Sequence, residues 1–543
     1  MSLNLESLRF SRLRLLALLF CIGWVSAIAW WHRGVVMDDP WITFRYAQNL
    51  LAGKGLVFNA GEPIEGYSNL SWVFASAAAI FARIEPLSFA RLLGWCSTVA
   101  ALALLCLGWK RDGSARHSVT AALLLAASYP VGVWISGGLE TMFQMLLVLA
   151  MTLSLAELLA KPSACAAAIL AAALATMDVT RPEGFLWLLP LLAALPWTRR
   201  ADRSLPLLAV LIGAFVLFHG VYTFWRWETF GSLVANTAKA KVGGGLGHSL
   251  GAGARYLWSY FAGAPGLVLV LAASASFGAA KHWRTLLPAA PLESEREVLE
   301  PTEGAAALPA LVGYPDGALI LSATLMAGLQ GSFILLVGGD WMPGARFVVP
   351  MLPPLCLLAA LALRQWPFFL RLVMIGFLLA SGVLHARGDG MLRWCRWAAK
   401  ESGGLVVAPL VETGEYLRAN APPGATFAAT EAGVMPYHSR LRFIDMLGLV
   451  DAHIASLPGG LHQKYDAEYV LGRAPELIVL GTVTTPDGEK GAWAPDQQML
   501  ANPRFAREYE VLHRIPRPMP DADFKRLEPG QMVVYRRRAP EGS

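Results

Sequence analysis

The strongest constraint on this chain is a succession of apolar runs, each bounded by charged or turn-forming residues, that fills its first 387 positions. The hydrocarbon core of a bilayer is about 30 Å thick and is crossed by about 20 apolar residues in a helix. Runs at 13–31, 87–109, 119–136, 141–160, 163–177, 184–197, 204–227, 256–280, 317–338, 346–363 and 367–386 read as about eleven spans. Two of them, 163–177 and 184–197, are short enough to be half-helices. Composition agrees: of 543 residues 55% are hydrophobic and 15% charged, with mean hydropathy +0.47, where a soluble domain is about a quarter charged. The expected fold class is a polytopic α-helical membrane protein.

Charge sets the orientation. Arg9, Arg12 and Arg14 precede the first run and place the N-terminus on the cytoplasmic side. That run ends in Trp30-Trp31-His32-Arg33 without a small-residue cleavage site, so it reads as a retained anchor rather than a cleaved signal. Loop 32–68 then lies outside, with a short amphipathic helix over 40–52 that begins at Pro40. Segment 69–83 is apolar but short, and if it crossed, the basic Lys110, Arg111 and Arg116 would face outward. It reads as a re-entrant or surface helix. On this count Arg199, Arg200, Arg203 and the loop 281–316 are cytoplasmic. The net charge of +6 then needs no nucleic-acid partner.

Beyond 387 no spanning run remains, and charge, Pro and Gly rise. A helix-like stretch at 408–419 and strand-like segments at 425–429, 441–444, 476–480 and 532–535 predict a small α/β domain over 388–543, outside the membrane. It follows a transmembrane domain over 1–387. Of the six cysteines only Cys395 lies outside an apolar run, which points to neither a disulfide framework nor a Cys-based metal site.

Polar groups are informative here because they are costly near hydrocarbon. The unusual ones fall at span ends on the outer side: Asp38-Asp39, Gly137-Gly138-Leu139-Glu140, Arg181-Pro182-Glu183, Lys239 and Lys241, and Asp340-Trp341 with Arg346. An outward cavity of carboxylates and cations suits sugar transfer from a lipid-linked phosphate. A carboxylate can take the proton of the acceptor hydroxyl, and a cation can hold the departing phosphate. Each motif also has a local reading. Asp39 before Pro40 makes a good helix start; Arg181/Glu183 and Asp340/Arg346 suit structural ion pairs; Lys239 and Lys241 suit solvent or lipid headgroups. Gly137-Gly138 suits a turn or close packing. Their convergence on one side is the signal. Paired aspartates suit a hard divalent cation, but no full ligand set is legible, so no cofactor is assigned beyond that option.

Asp38-Asp39-Pro40-Trp41-Ile42-Thr43-Phe44-Arg45-Tyr46, followed by Glu65-Gly66-Tyr67-Ser68-Asn69, resembles the first outer loop of the terminal β-arabinofuranosyltransferase family of the GT-C superfamily. Gly138-Leu139-Glu140-Thr141, Thr180-Arg181-Pro182-Glu183-Gly184, Gly339-Asp340-Trp341-Met342-Pro343-Gly344-Ala345-Arg346 and Asp445-Met446-Leu447-Gly448-Leu449-Val450-Asp451 resemble later motifs, in order. The resemblance implies a GT-C core in the inner membrane with an outer α/β domain. It also implies transfer of D-arabinofuranose from a polyprenyl phosphate to a cell-envelope glycan or surface acceptor.

By that analogy an Asp of the first loop is the base, with Asp38 the first choice and Asp39 the second. Arg181, Lys239, Lys241 and Arg346 would hold the donor phosphate. Arg45, Tyr46, Glu65, Tyr67, Glu140, Glu183, Asp340, Trp341 and Asp445 would line the sugar and acceptor sites. A β-linked product from a β-linked donor would need retention of configuration, and one carboxylate would then act as nucleophile or ion-pair stabiliser. The alternatives are a GT-C enzyme for a hexose or aminoarabinose acting on lipopolysaccharide or protein, and a proton-coupled transporter. The transporter is disfavoured by the lack of inverted halves.

Overall fold

The computed structural model describes residues 5–108, 115–160, 163–198, 204–241, 245–263, 266, 315–460, 462–485, 488–520 and 524–539. Six of its helices are long and apolar enough to cross a membrane: Arg12–Trp31, Pro86–Leu107, Thr141–Ala160, Leu205–Phe230, Gly317–Val337 and Phe368–Gly388. The other expected spans are shorter or broken. Pro130 has no N–H to continue a helix, so 119–136 divides into Ala115–Ala127 and Tyr129–Ile135. Segments 184–197 and 346–363 each begin as a 3-10 turn, Gly184–Leu188 and Arg346–Met351, before turning α-helical. Of the expected span 256–280 only the part in helix Leu246–Phe261 and its adjoining turn is seen; the rest, the loop 281–314 and Arg199–Arg203 lie outside the described residues.

Capping follows local chemistry. Glu85 accepts from Leu87 and Ser88 N–H ahead of Pro86, and Ser163 accepts from Ala166 N–H. In the buried seam, where apolar contact alone gives little register, Ser322 Oγ donates to Thr152 O at 2.7 Å.

Helix Leu70–Phe81 has 12 residues, about 18 Å of helix, well short of a bilayer core. It packs against helix Pro40–Leu51, which in turn meets helix Val434–Ser439 of the C-terminal region. The 40–51 helix is therefore buried on nearly every side rather than half-solvated. Its polar side chains are satisfied internally: Thr43 Oγ1 donates to Asn69 at 2.9 Å, and Asn49 Nδ2 to Phe58 O at 2.7 Å.

The C-terminal region carries a six-stranded mixed sheet in the order Arg442–Asp445, Thr426–Ala429, Leu477–Thr485, Gly530–Arg537, Tyr509–Pro516, with Gly488–Gly491 paired to Leu477–Thr485. The first three strands are parallel and the others antiparallel. Loops that follow parallel strands are the usual ligand-facing positions of such sheets. Here the loops after Ala429 and Asp445 face the loop 32–69: Asp38 accepts from Gly433 and Val434 N–H, and a Cβ on Gly66 would lie 2.4 Å from Val450 Cγ1.

A buried ion pair ties that loop to the membrane helices. Arg226, near the end of helix Ser204–Phe230, gives Nε and Nη2 to Glu65 at 2.8–3.1 Å, and Glu65 is 4% exposed. Removing one partner strands a buried charge. Arg226→Met should destabilise the protein by about 3–5 kcal/mol, with Glu65→Gln in the same chain restoring part of it. Thermal unfolding of the detergent-solubilised single and double variants checks this, and an unshifted Arg226→Met would refute it.

Candidate active site

Asp39 has helical backbone angles (φ −55°, ψ −37°), and its side chain makes no cap hydrogen bond. The helix starts where Pro40 predicts, but neither carboxylate is used for capping. Asp38 turns to the C-terminal region: Oδ2 accepts from Gly433 N–H at 2.6 Å and Oδ1 from Val434 N–H at 2.7 Å. The approach requires glycine at 433, where a Cβ would lie 2.0 Å from Asp38 O. Burial raises the Asp38 carboxyl to about 7 against the pull of Val434 N–H, with Glu431 and Asp39 pushing the same way as burial.

Asp39 faces a different set of groups. Burial raises its carboxyl, Lys241 and Arg346 pull it down, Asp340 pushes it up and His462 pulls it down. Lys241 ends the short helix Asn236–Lys241. Its surface is open, yet the surrounding protein lowers its ammonium, with Asp39 the first charge acting the other way. The short helix is held from both sides: Asn236 Nδ2 donates to Gly448 O and Leu449 O at 2.9 and 3.0 Å, and Lys464 Nζ to Lys239 O at 2.7 Å.

The remaining charges form fixed pairs. Arg346 follows Ala345, which is left-handed (φ 50°), and gives Nε to Asp340 Oδ2 at 2.6 Å. Its guanidinium lies 5.0 Å from the Phe347 ring centroid. Arg181, just after helix Ala164–Thr180, bridges Glu140 at 2.7 Å and Glu183 at 2.8 Å. Glu140 also accepts from Asn69 Nδ2 at 2.6 Å. Burial would raise the Glu140 carboxyl, but Arg181 and Asn69 hold it below its usual range.

Of the residues singled out in the sequence, Asp39, Lys241, Asp340 and Arg346 share one electrostatic neighbourhood, with Arg181 acting on Lys241 and linking Glu140 and Glu183. Trp341 stands exposed beside Asp340. The others are placed elsewhere. Arg45 is buried and donates to Leu441 O at 2.9 Å. Tyr46 bridges Ile64 O and Gly66 N–H at 2.6 and 2.7 Å. Asp445 is 1% exposed and accepts from Leu447 and Val450 N–H, so it shapes its own loop instead of lining a pocket. Glu65 is taken by Arg226. Tyr67 lines a small pocket with Glu65, Asp178, Arg181, His219 and Arg226, and its buried hydroxyl has no hydrogen-bond partner among the described residues. Lys239 is exposed at the helix surface.

Sequence reasoning missed His462, Arg226 and the pair of Asp178 with His219 at 2.9 Å. Arg226 and His219 had a signal, since both are ionisable groups inside or at the end of an apolar run. His462 had none. Among the described residues no group of three or more His, Cys, Asp and Glu is placed to hold a metal ion.

The Asp38 contact gives a signed pH dependence. With the folded carboxyl near 7 and an unfolded one near 3.9, the folded state holds an extra proton between them. Wild type should therefore lose stability relative to Asp38→Asn as pH rises from about 4 to 7. Melting both proteins at about pH 5 and about pH 8 tests this; a gap independent of pH would refute it. Gly433→Ala should cost about 1.5–3 kcal/mol by breaking the charge-assisted contact, read in the same assay.

Comparison with known proteins adds a second line of evidence. Residues 400–535 match a family described only as a domain of unknown function (DUF8728). The chain is 28% identical over 422 residues to a terminal β-(1→2)-arabinofuranosyltransferase of Mycobacterium tuberculosis, covering 70% of this chain and 60% of that protein. It is 24% identical over 382 residues to the protein of the same name from Corynebacterium glutamicum, covering 64% and 51%. The chain thus spans about half to three-fifths of the length of these curated relatives. In three dimensions it is similar to the crystal structure of ArnT from Cupriavidus metallidurans bound to undecaprenyl phosphate, with a TM-score of 0.52 at 11% identity over 98% of both chains. The chain therefore has the fold of that ArnT structure, and in sequence it is similar to the terminal arabinofuranosyltransferases that its loop motifs resemble.

Proposed function

We propose that this protein is an integral-membrane glycosyltransferase that moves a sugar, D-arabinofuranose, from a polyprenyl phosphate to a cell-envelope glycan on the outer side of the inner membrane. In this reading 1–387 is the transmembrane catalytic domain and 388–543 an extracytoplasmic α/β domain, with the N-terminus in the cytoplasm. The observation that carries the reading is one half-buried carboxylate, Asp39, on which the cations Lys241 and Arg346 act. The names of the curated relatives supply the sugar, and the ligand of the ArnT structure supplies the kind of carrier.

The chemistry follows from those positions. The bond from the sugar C1 to the phosphate oxygen breaks, a bond from C1 to the acceptor oxygen forms, and the acceptor proton passes to Asp39. Polyprenyl phosphate leaves with its new charge beside Lys241 and Arg346, with Arg181 behind them; preorganised cations are most effective where charge develops. If configuration is retained, a carboxylate must instead meet C1 first, and Asp39 is the one not committed to a backbone contact or to a short ion pair. An apolar groove of about 750 Å³ between helices 86–107, 141–160 and 164–180 has Thr176 at its rim, one turn below Thr180 and Arg181. It offers a prenyl chain a path to the cations.

Purified protein supplied with decaprenyl-phosphoarabinose and a short arabinan acceptor tests the reading. Asp39→Asn should lower transfer by about 10²–10⁴-fold, while Asp38→Asn acts mainly on stability. Wild-type kcat/KM should rise with pH over an acid limb above the ordinary carboxylate range, because burial raises the Asp39 carboxyl and only its ionised form accepts a proton. Full activity of Asp39→Asn would remove it as base. Transfer from another polyprenyl phosphosugar alone would reassign the donor.

A further inference from the structure

The C-terminal region brings to the neighbourhood of Asp39 one side chain that the proposed chemistry has not used. His462 acts electrostatically on both Asp39 and Lys241, and its ring lies 5.5 Å from the Trp341 ring at 70°. The two residues come from different parts of the chain, Trp341 after a membrane helix and His462 from the loop after helix Ala452–Ser456.

That loop is held in place. His462 adopts a left-handed conformation (φ 61°), uncommon for a residue with a side chain and characteristic of sites where the surroundings over-determine the backbone. Gln463 N–H donates to Gly460 O at 3.1 Å, and Gly460 N–H to the Gln463 side chain at 3.0 Å. Two residues further on, Lys464 clamps the loop to the helix that carries Lys241, donating to Lys239 O at 2.7 Å and to Ala455 O at 3.0 Å. The imidazole is thus fixed against the Trp341 ring and within electrostatic reach of Asp39.

We propose, resting on the transferase reading, that Trp341 and His462 form the subsite for the acceptor sugar. Trp341 is 37% exposed, an open indole beside Asp340 and His462. An apolar ring face suits the C–H face of a sugar. The surrounding protein lowers the His462 imidazole, which favours the neutral ring, with one ring nitrogen donating and the other accepting. A neutral imidazole beside an indole recognises an uncharged polyol; the phosphate goes to Arg346, Lys241 and Arg181. His462 holds the acceptor hydroxyl toward Asp39, and the C-terminal region thereby takes part in acceptor choice.

The test separates the two substrates. With decaprenyl-phosphoarabinose and an octyl di-arabinofuranoside, His462→Ala and Trp341→Ala should each raise the acceptor KM by about tenfold, the loss of roughly one hydrogen bond or stacking contact. The donor KM should stay within about twofold. His462→Gln and Trp341→Phe, which keep an amide and a ring, should recover most of the loss, as a merely unfolded loop would not. An unchanged acceptor KM, or a rise in donor KM alone, overturns the proposal. Saturation-transfer NMR with the octyl disaccharide, without donor, decides the subsite even if wild type transfers no arabinose. Binding lost in both alanine variants upholds it; binding equal to wild type, or none in wild type, overturns it.

Discussion

The structure depends on the carboxylate of Asp38, which sits on the amide groups of Gly433 and Val434. It joins the first outer loop to the loop after a parallel strand, 395 positions away in the chain. Adjacent side chains at the start of a helix diverge by roughly 100°. Once Asp38 is committed to the outer region, Asp39 must point elsewhere, and it points to Lys241, Arg346 and Asp340. The two aspartates thus face different ways: one fastens to the C-terminal region, the other faces the cations.

The charges around Asp39 follow the same economy. A buried ion is tolerated when it is paired and hydrogen-bonded. Glu140, Glu183, Asp340 and Glu65 each have an arginine within 2.8 Å. Two of these pairs also join separate segments: Glu140 and Arg181 link the ends of two apolar helices, and Glu65 and Arg226 fasten the first loop to a third. The arginines are thereby held with little freedom, so little reorganisation remains when a second anion arrives. Deep in the outer region, burial would raise the Glu431 carboxyl, but Arg517 and Thr430 hold it below its usual range. Glu431 adds its negative charge to the surroundings of Asp38 and so opposes ionisation there.

Much of this was legible in the sequence, and the part that was not has a physical reason. Pro40 marks a helix start whatever its surroundings, and the strands expected at 425–429, 441–444, 476–480 and 532–535 appear at 426–429, 442–445, 477–485 and 530–537. Both signals are local. Hydropathy sums over a window, so it marks 119–136 as apolar but is blind to the single missing N–H of Pro130 that breaks it. The roles of Asp38 and Asp39 were beyond local reasoning, because the groups that separate them lie hundreds of residues away. Asp445 carries a motif suited to a site, yet its oxygens close a turn with amides two and five positions on. His462 is an ordinary histidine in a glycine-rich loop until Lys464 ties that loop to Lys239.

These contacts also bear on what the outer region contributes. Several of its contacts fall on the segments that carry the charged side chains: Gly433 and Val434 on Asp38, Gly448 and Leu449 on Asn236, Lys464 on Lys239. Helix Asn236–Lys241 has only six residues, too few to be stable alone, and it is held between Glu65 O on one side and Gly448, Leu449 and Lys464 on the other. The position of Lys241 relative to Asp39 is thus set by both parts of the chain. A change anywhere along that seam acts on the distance between a carboxylate and the cation facing it, which makes the seam part of the site and not a boundary beside it.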